Sequence, residues 1–182
     1  MPRRLLTLYI FSILLSVQVI AQRQLPKAIR TDSLQGKSYN TETSGKAMNL
    51  LKIAVYWLDH DPDKAFNNIY AALRIAVEEK NMALKAAAFV TLGDYSSRRR
   101  HFLQAQQQYL SAANNYQFIN DTIGIIQTLL KIGYLNQSLK HYESAIVFFN
   151  QALRLSQNIK NPEQQGQSLS NLAIVYELQG DH

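Results

Sequence analysis

A repeat of 40 residues is the feature that most limits what this chain can fold into. Three segments share one pattern: DKAFNNIYAAL, LQAQQQYLSAA and ESAIVFFNQAL, which begin at residues 63, 103 and 143. In each segment two alanines enclose an apolar or aromatic side chain at spacings of i, i+4 and i+7, which share one face of a helix. The equivalent residues are Ala65, Ala105 and Ala145, then Ile69, Tyr109 and Phe149, then Ala72, Ala112 and Ala152. Each segment is therefore predicted to be a helix with a closely packed face.

A second helix precedes each segment, so the repeating unit is expected to be a helical hairpin. Small residues recur there at the same interval, each after an apolar residue: Leu92-Gly93, Ile132-Gly133 and Leu172-Ala173. A small residue at a helix contact lets the partner helix approach closely. The pattern predicts helices near residues 46–58, 62–79, 82–98, 102–118, 122–138, 142–158 and 163–179. A composition of 47% hydrophobic residues with only 7 glycines and 4 prolines also favours an ordered helical chain.

The repeat resembles that of the tetratricopeptide repeat (TPR) family. The resemblance rests on Leu92-Gly93, Ala105, Tyr109 and Ala112 in one unit, and on Ile132-Gly133, Tyr142, Ala145, Phe149 and Ala152 in the next. It implies an all-α, right-handed superhelical solenoid of stacked antiparallel helix pairs. The units would be 46–81, 82–121 and 122–161, with a partial fourth at 162–182. The period of 40 exceeds the usual 34, and Lys52-Ile53 replaces the Leu-Gly pair in the first unit, so that unit is divergent.

The resemblance also implies a binding groove. In TPR proteins the first helices of successive units line a concave surface, which by alignment would include Trp57, Asp94, Arg98, Tyr134, Gln137 and Glu177. The family's clamp for a C-terminal carboxylate uses Lys and Asn, where this chain has Leu50 and Ala54. That specificity is therefore not expected here.

The first 21 residues are predicted to be a signal peptide. Arg3 and Arg4 precede an apolar run from residue 5 to residue 20, and Val19 and Ala21 suit cleavage after Ala21. An uncleaved signal anchor is the alternative. Residues 22–45 form a polar leader rich in Ser and Thr. The chain has no cysteine, so disulfides cannot support it, and the mature chain is only mildly basic, which does not indicate nucleic-acid binding by this segment.

The stretch WLDHDPDKAF raises the question of a cation site, because Asp59, Asp61 and Asp63 alternate there. A calcium loop would continue with a glycine and later a glutamate, but Lys64 and Tyr70 hold those places. The repeat register places a turn here. The preferred interpretation is that Asp61 is an N-cap, that Pro62 is the first residue of a helix, and that Asp63 favours the positive end of the helix dipole.

Other polar clusters also have structural interpretations. His60, His101, His141 and His182 recur in inter-helix turns, too far apart to share one zinc ion easily. Arg98, Arg99 and Arg100 follow one another at a predicted helix end, where cations complement the dipole; phosphate or anionic lipid binding is the alternative. The sequence contains no nucleophile motif and no phosphate-binding glycine loop. No metal, cofactor or catalytic residue is therefore predicted.

These features together predict a non-enzymatic module that binds a protein or peptide partner. The signal segment and the repeats resemble the exported N-terminal region of bacterial sensor kinases and regulators, and the chain ends at YELQGDH, within a fourth unit. We therefore expect a periplasmic sensory or scaffolding part of a longer signal-transduction protein. It would touch a membrane only through the signal or through a C-terminal span. The alternative is a stand-alone secreted scaffold for envelope complexes.

Overall fold

The computed structural model describes residues 41–180, and these residues form seven helices and no strand. The helices are α1 (Thr41–Trp57), α2 (Pro62–Glu78), α3 (Met82–Arg98), α4 (Phe102–Phe118), α5 (Thr122–Ser138), α6 (Tyr142–Asn158) and α7 (Pro162–Gly180). The predicted bounds of α3, α4, α5 and α6 agree with the structure at both ends. The predicted signal peptide and nearly all of the polar leader lie outside the described residues.

The helices alternate as two layers of a solenoid. We call α1, α3, α5 and α7 the A helices, and α2, α4 and α6 the B helices. The A helices α1, α3 and α5 each pack against the B helix that follows, and each B helix packs in turn against the next A helix. The all-α solenoid predicted from the repeat is therefore confirmed.

The turns between helices recur every 20 residues, which is half the 40-residue period of the hairpins. A residue with positive φ closes five of the six links between helices, and none of the five is a glycine: Lys80, Arg100, Asn120, Lys140 and Lys160. In each case the next residue donates its backbone N–H to a carbonyl five positions back, as His141 does to Asn136 at 2.9 Å. This is the Schellman ending of a helix, which usually has a glycine at the positive-φ position. The 20-residue step makes every hairpin the same length and keeps the units in register.

The helix starts differ in their capping. Asp61 confirms the predicted N-cap, because its Oδ1 accepts the backbone N–H of Lys64 at 3.0 Å, and α2 begins at Pro62. That hydrogen bond, followed by the side-chain interaction with Lys64, lowers the pKa of Asp61. Similar side-chain caps start α3, α5 and α7, from Asn81, Asp121 and Asn161. The residues before α4 and α6 are His101 and His141, and neither side chain caps its helix.

The core lies where the small residues of the repeat meet aromatic ones. The structure buries all eight predicted packing residues: Ala65, Ala72, Gly93, Ala105, Ala112, Gly133, Ala145 and Ala152. A Cβ atom added at Gly93 would overlap the ring of Tyr109, and one added at Gly133 would overlap the ring of Phe149. The aromatic side chains of α4 and α6 therefore occupy the space that the glycines of α3 and α5 leave open.

Two ends of the repeat region differ from the sequence-based expectation. The first helix begins at Thr41 rather than near residue 46, so the last residues of the predicted leader are helical. Ser44 in this first turn donates to Glu79 Oε2 at 2.5 Å and accepts from Asn81 Nδ2 at 3.3 Å, which holds the turn against the α2–α3 link. In α7, the repeat pattern predicts a packing position for Tyr176, but 55% of its surface is exposed because no described helix covers that side.

Candidate functional site

An exposed stripe runs along α5, the central A helix. Ile123, Gln127, Tyr134 and Ser138 are exposed, and their spacing places them within about 60° of one another around the helix axis. The remaining surface of α5 is mostly buried against its neighbours. The stripe is therefore the side of α5 that is open to a partner.

The equivalent stripe changes from one A helix to the next. It is exposed in α7 (Glu163, Gln167, Ile174, Leu178), exposed or half-buried in α3 (Ala83, Ala87, Asp94, Arg98), and mostly buried in α1 (Thr43, Ala47, Ala54) and at Leu58, which directly follows α1. The α1 stripe is covered because α1 also contacts α3 directly. We call the stripes of α3, α5 and α7 the A-helix face. This accessible face begins at α3, so the first unit contributes little to it.

An ion pair connects the two central A helices at this face. Lys131 Nζ of α5 lies 2.8 Å and 3.0 Å from the two carboxylate oxygens of Asp94 in α3. Tyr109 of α4 donates its hydroxyl to Asp94 Oδ1 at 2.7 Å. Burial of the phenol, and secondly the charge of Asp94, raise the pKa of Tyr109. Asp94 is thus held from two neighbouring helices, which fixes the spacing of α3 and α5.

Arg98 is held in a similar way at the end of α3. Its guanidinium pairs with Asp59 of the α1–α2 link. Both side chains are about half exposed, so the pair contributes little to stability. The ion pair orients Arg98 towards the first unit. The middle of the A-helix face is therefore formed by α5.

Tyr134 is the principal aromatic group on the face. Its side chain is 48% exposed, and its ring lies edge-on to Phe149 with 5.5 Å between the ring centroids. The buried ring restricts the half-exposed tyrosine. The tyrosine therefore offers a rigid contact that loses little conformational entropy when a partner binds. Gln137 lies one turn further along α5, and its buried Oε1 has no hydrogen-bond partner among the described residues.

The structure separates the other two predicted groove residues from this centre. Trp57 lies at the α1–α2 link, where Lys64 Nζ is 4.4 Å from the ring centroid and His60 and Tyr56 make edge contacts. Glu177 is exposed near the end of α7. Of the six predicted residues, the structure therefore gathers Asp94, Tyr134 and Gln137 at the centre of the face and places Arg98 at its border.

Sequence reasoning missed Lys131 and Asp59, the two partners in the ion pairs. One signal was present: Lys131 is the only charged residue between Asp121 and Lys140. A lone charge within a largely apolar helix needs a partner, and Asp94 lies almost one repeat earlier. The repeat by itself does not show this pairing, because the equivalent positions in the other units are not charged.

The aspartates and histidines of the α1–α2 link do not form a metal cluster. Asp59 pairs with Arg98, and Asp61 pairs with Lys64 at 3.1 Å. Within residues 41–180, no three His, Cys, Asp or Glu side chains are grouped so that they could hold a metal ion. His182 lies outside that range. None of the helices in the same range is long and apolar enough to span a membrane.

Comparison with known proteins agrees with the helical repeat. Residues 124–182 match the family model described as tetratricopeptide repeat. The chain also resembles the solved crystal structure of BtubC (BKLC) from P. vanneervenii, with a TM-score of 0.66 and 24% sequence identity. The match covers 82% of this chain and 61% of that one, so the chain spans about three fifths of the length of this relative. No curated protein sequence matches the chain.

The family match covers α5, α6 and α7, and the structure shows the same hairpin in α3–α4 and α1–α2. Together these findings define a TPR-like helical repeat protein. The likeness to the solved structure is one of fold, since the identity is low. Repeats of this kind generally mediate interactions between proteins.

Proposed function

We propose that this chain is a non-enzymatic module whose A-helix face binds a segment of a protein or peptide partner. The observation that carries the proposal is the exposed stripe of α5, the A helix between α3 and α7. Tyr134 on this stripe packs against the ring of Phe149. Half-exposed aromatic residues on a rigid support are typical of the positions that dominate binding energy. Stacked hairpins supply such a surface without a catalytic centre.

The charges support a partner that is not strongly charged at this face. Lys131 and Asp94 neutralise each other, and Arg98 is paired with Asp59, so the remaining charge on the three stripes is Glu163 at the start of α7. What remains accessible on α5 is aromatic, aliphatic and uncharged polar surface. The expected ligand is therefore a peptide segment with an apolar or aromatic side chain that packs on this surface. Its backbone amides would form hydrogen bonds with the uncharged polar side chains of α5.

A selection of peptides from a random display library on the purified protein tests this proposal. Selected peptides should lose affinity by at least about tenfold in Tyr134→Ala, since a central aromatic anchor is worth more than about 1.4 kcal/mol. The matched control is Tyr70→Ala, which removes a comparably exposed tyrosine from a B helix. Peptides that bind both variants like the native protein would show that the A-helix face is not the site.

At a finer level, we propose that the module is the exported sensory or scaffolding region of a longer bacterial signal-transduction protein. The support is the apolar N-terminal run, which resembles a signal peptide, followed by the repeats. The sequence encoded downstream tests the idea: an apolar span followed by a kinase or DNA-binding domain is expected. A stop codon after a few more repeats would instead favour a stand-alone secreted scaffold.

A further inference from the structure

The α3–α4 and α5–α6 links lie at the same end of adjacent hairpins and are both basic. Arg99, Arg100 and His101 form the first link, and Lys140 and His141 lie in the second; all five side chains are exposed. We call these five residues the basic edge. None of its arginine or lysine side chains forms an ion pair within residues 41–180.

Few acidic residues lie near this edge. Asp59 in the α1–α2 link pairs with Arg98, Glu143 lies in the first turn of α6, and Asp121 lies in the α4–α5 link at the opposite end of the helices. A helix of 17 residues is about 25 Å long, which is more than twice the screening length at physiological salt. At the same end as the basic edge, Asp59 is already paired and Glu143 forms no ion pair with a cation of the edge within residues 41–180, so the edge retains a net positive charge.

The backbone supplies hydrogen-bond donors at this edge, although the carbonyl ends of α3 and α5 lie there as well. The α4 and α6 helices begin at this edge, and they are the helices whose preceding residues, His101 and His141, provide no side-chain cap. The first backbone N–H groups of a helix carry partial positive charge and attract carboxylates. The cationic side chains are the main feature, and the uncapped amides contribute hydrogen-bond donors beside them.

We infer that the basic edge binds an acidic peptide segment that spans both links in an extended conformation. Adjacent A helices lie about 10 Å apart, and an extended chain advances about 3.3 Å per residue. One carboxylate would meet Arg99 and Arg100, and a second one, about three residues along, would meet Lys140. Leu103 lies beside the first link with 73% of its surface exposed and offers an apolar contact to the same segment.

The size of the basic edge favours a peptide over a membrane surface. It presents three permanent cations in a strip across two links, whereas attachment to anionic lipid usually involves clusters of four to eight. The inference does not depend on the A-helix face, because the two surfaces share no residue. Loss of binding at one surface therefore leaves the other to be tested separately.

Titration of labelled peptides against the full chain tests the inference. The probe peptide carries two glutamates three positions apart in a neutral Gly-Ser-Ala background; one comparison peptide has glutamines there, and another has two adjacent glutamates. The native protein should bind the probe in a salt-dependent manner, and should bind both comparison peptides more weakly. No binding of the probe, or a probe affinity no higher than that of either comparison peptide, would overturn the inference.

The variant for this test is Arg99→Gln, Arg100→Asn, Lys140→Asn. Asparagine is used at the two positive-φ positions because it tolerates that conformation and removes the charge. The matched control is Lys46→Gln, Lys52→Gln, Arg154→Gln, which removes the same three charges from exposed positions elsewhere. The first variant should bind the probe about tenfold more weakly, equivalent to about 1.4 kcal/mol, and the control within about twofold of the native protein.

Two results would contradict the assignment even if binding were seen. An equal loss in the control variant would show that only net charge matters. Tighter binding to phosphatidylserine vesicles than to the probe, lost in the first variant, would show that the basic edge is a membrane contact. Circular dichroism of both variants confirms that they retain the native helix content, so a loss of binding can be attributed to the changed side chains.

Discussion

The hydroxyl of Tyr109 in α4 donates a hydrogen bond of 2.7 Å to the carboxylate of Asp94 in α3. The same pair of repeat positions is filled differently in the other hairpins. It is Ala54 with Ile69 in the first, where both are buried in one apolar cluster, and Tyr134 with Phe149 in the third, where the rings pack edge to face. One backbone arrangement thus accepts an apolar, a polar or an aromatic pair, provided that the two residues match each other.

Replacing Tyr109 by phenylalanine should weaken the protein modestly. The change removes the hydrogen bond but leaves the ring against Gly93, and Asp94 retains Lys131 as a partner. We expect the free energy of unfolding to fall by about 1 kcal/mol. Urea denaturation measures the change. Tyr176→Phe, at an exposed position in α7, is the control and should stay within about 0.5 kcal/mol of the native protein.

The same tyrosine predicts a dependence of stability on alkaline pH. Burial and Asp94 raise the pKa of Tyr109 far above its ordinary value of 10.0, so the folded state keeps the phenol proton that the unfolded state releases. The stabilisation is complete below pH 10 and is lost as the pH rises above that value. The difference in unfolding free energy between the native protein and Tyr109→Phe should therefore shrink above pH 10. A difference that is constant from pH 8 to pH 11 would contradict the prediction.

Replacing Gly93 or Gly133 by alanine should destabilise the fold, although alanine is the better helix former. At Gly133 the added methyl group would overlap the Phe149 ring, and overpacking of this kind costs about 1–3 kcal/mol. At Gly166 nothing lies within 4 Å of the added atom, so Gly166→Ala should stabilise by about 0.5–1 kcal/mol. Thermal denaturation of the two variants would contradict the packing model if both melted above the native protein. The double variant Gly133→Ala, Phe149→Leu should recover part of the loss.

Glycine in place of Lys160 should stabilise the protein. Lys160 ends α6 with a φ of 52°, a conformation that costs a residue with a Cβ atom about 1–2 kcal/mol and costs glycine nothing. The greater freedom of glycine in the unfolded chain and the loss of a cation at the helix end offset part of this gain, which leaves about 0.5 kcal/mol. Lys52→Gly, at an exposed position within α1, is the control and should lose about 1 kcal/mol. Denaturant midpoints that shift in the same direction would refute the proposed role of the turn.

The N-terminal segment predicts that the chain is exported and that the mature protein begins at Gln22. The basic start, the short apolar run and the small residues Val19 and Ala21 are those that signal peptidase requires. N-terminal sequencing of the protein from the cell envelope tests this. Recovery of a chain that still starts at Met1 would support the uncleaved anchor instead.

The sequence by itself determined the repeat, the helices and most of their ends, although not the start of α1 at Thr41. These features depend on interactions within about four residues: the i, i+4 and i+7 periodicity, the Asp61 cap and Pro62 at the first helical position. Because the period was visible in small residues, Gly93 and Gly133 could also be predicted to lie at close helix contacts. Even so, the positive-φ turns at Lys80, Arg100, Asn120, Lys140 and Lys160 were not foreseen, since no glycine marks them.

Only the tertiary structure decided which side chains meet between units. The pairs Asp94 with Lys131 and Asp59 with Arg98 join residues 37 and 39 positions apart, and the repeat alone does not distinguish them from other charged residues at similar spacing. In the structure, the stripe of α1 is also buried against α3, and Trp57 lies at the α1–α2 link rather than in the predicted groove. These outcomes depend on how far each helix is rotated about its axis against its neighbours. That rotation results from the packing of all the side chains together, which no local pattern in the sequence records.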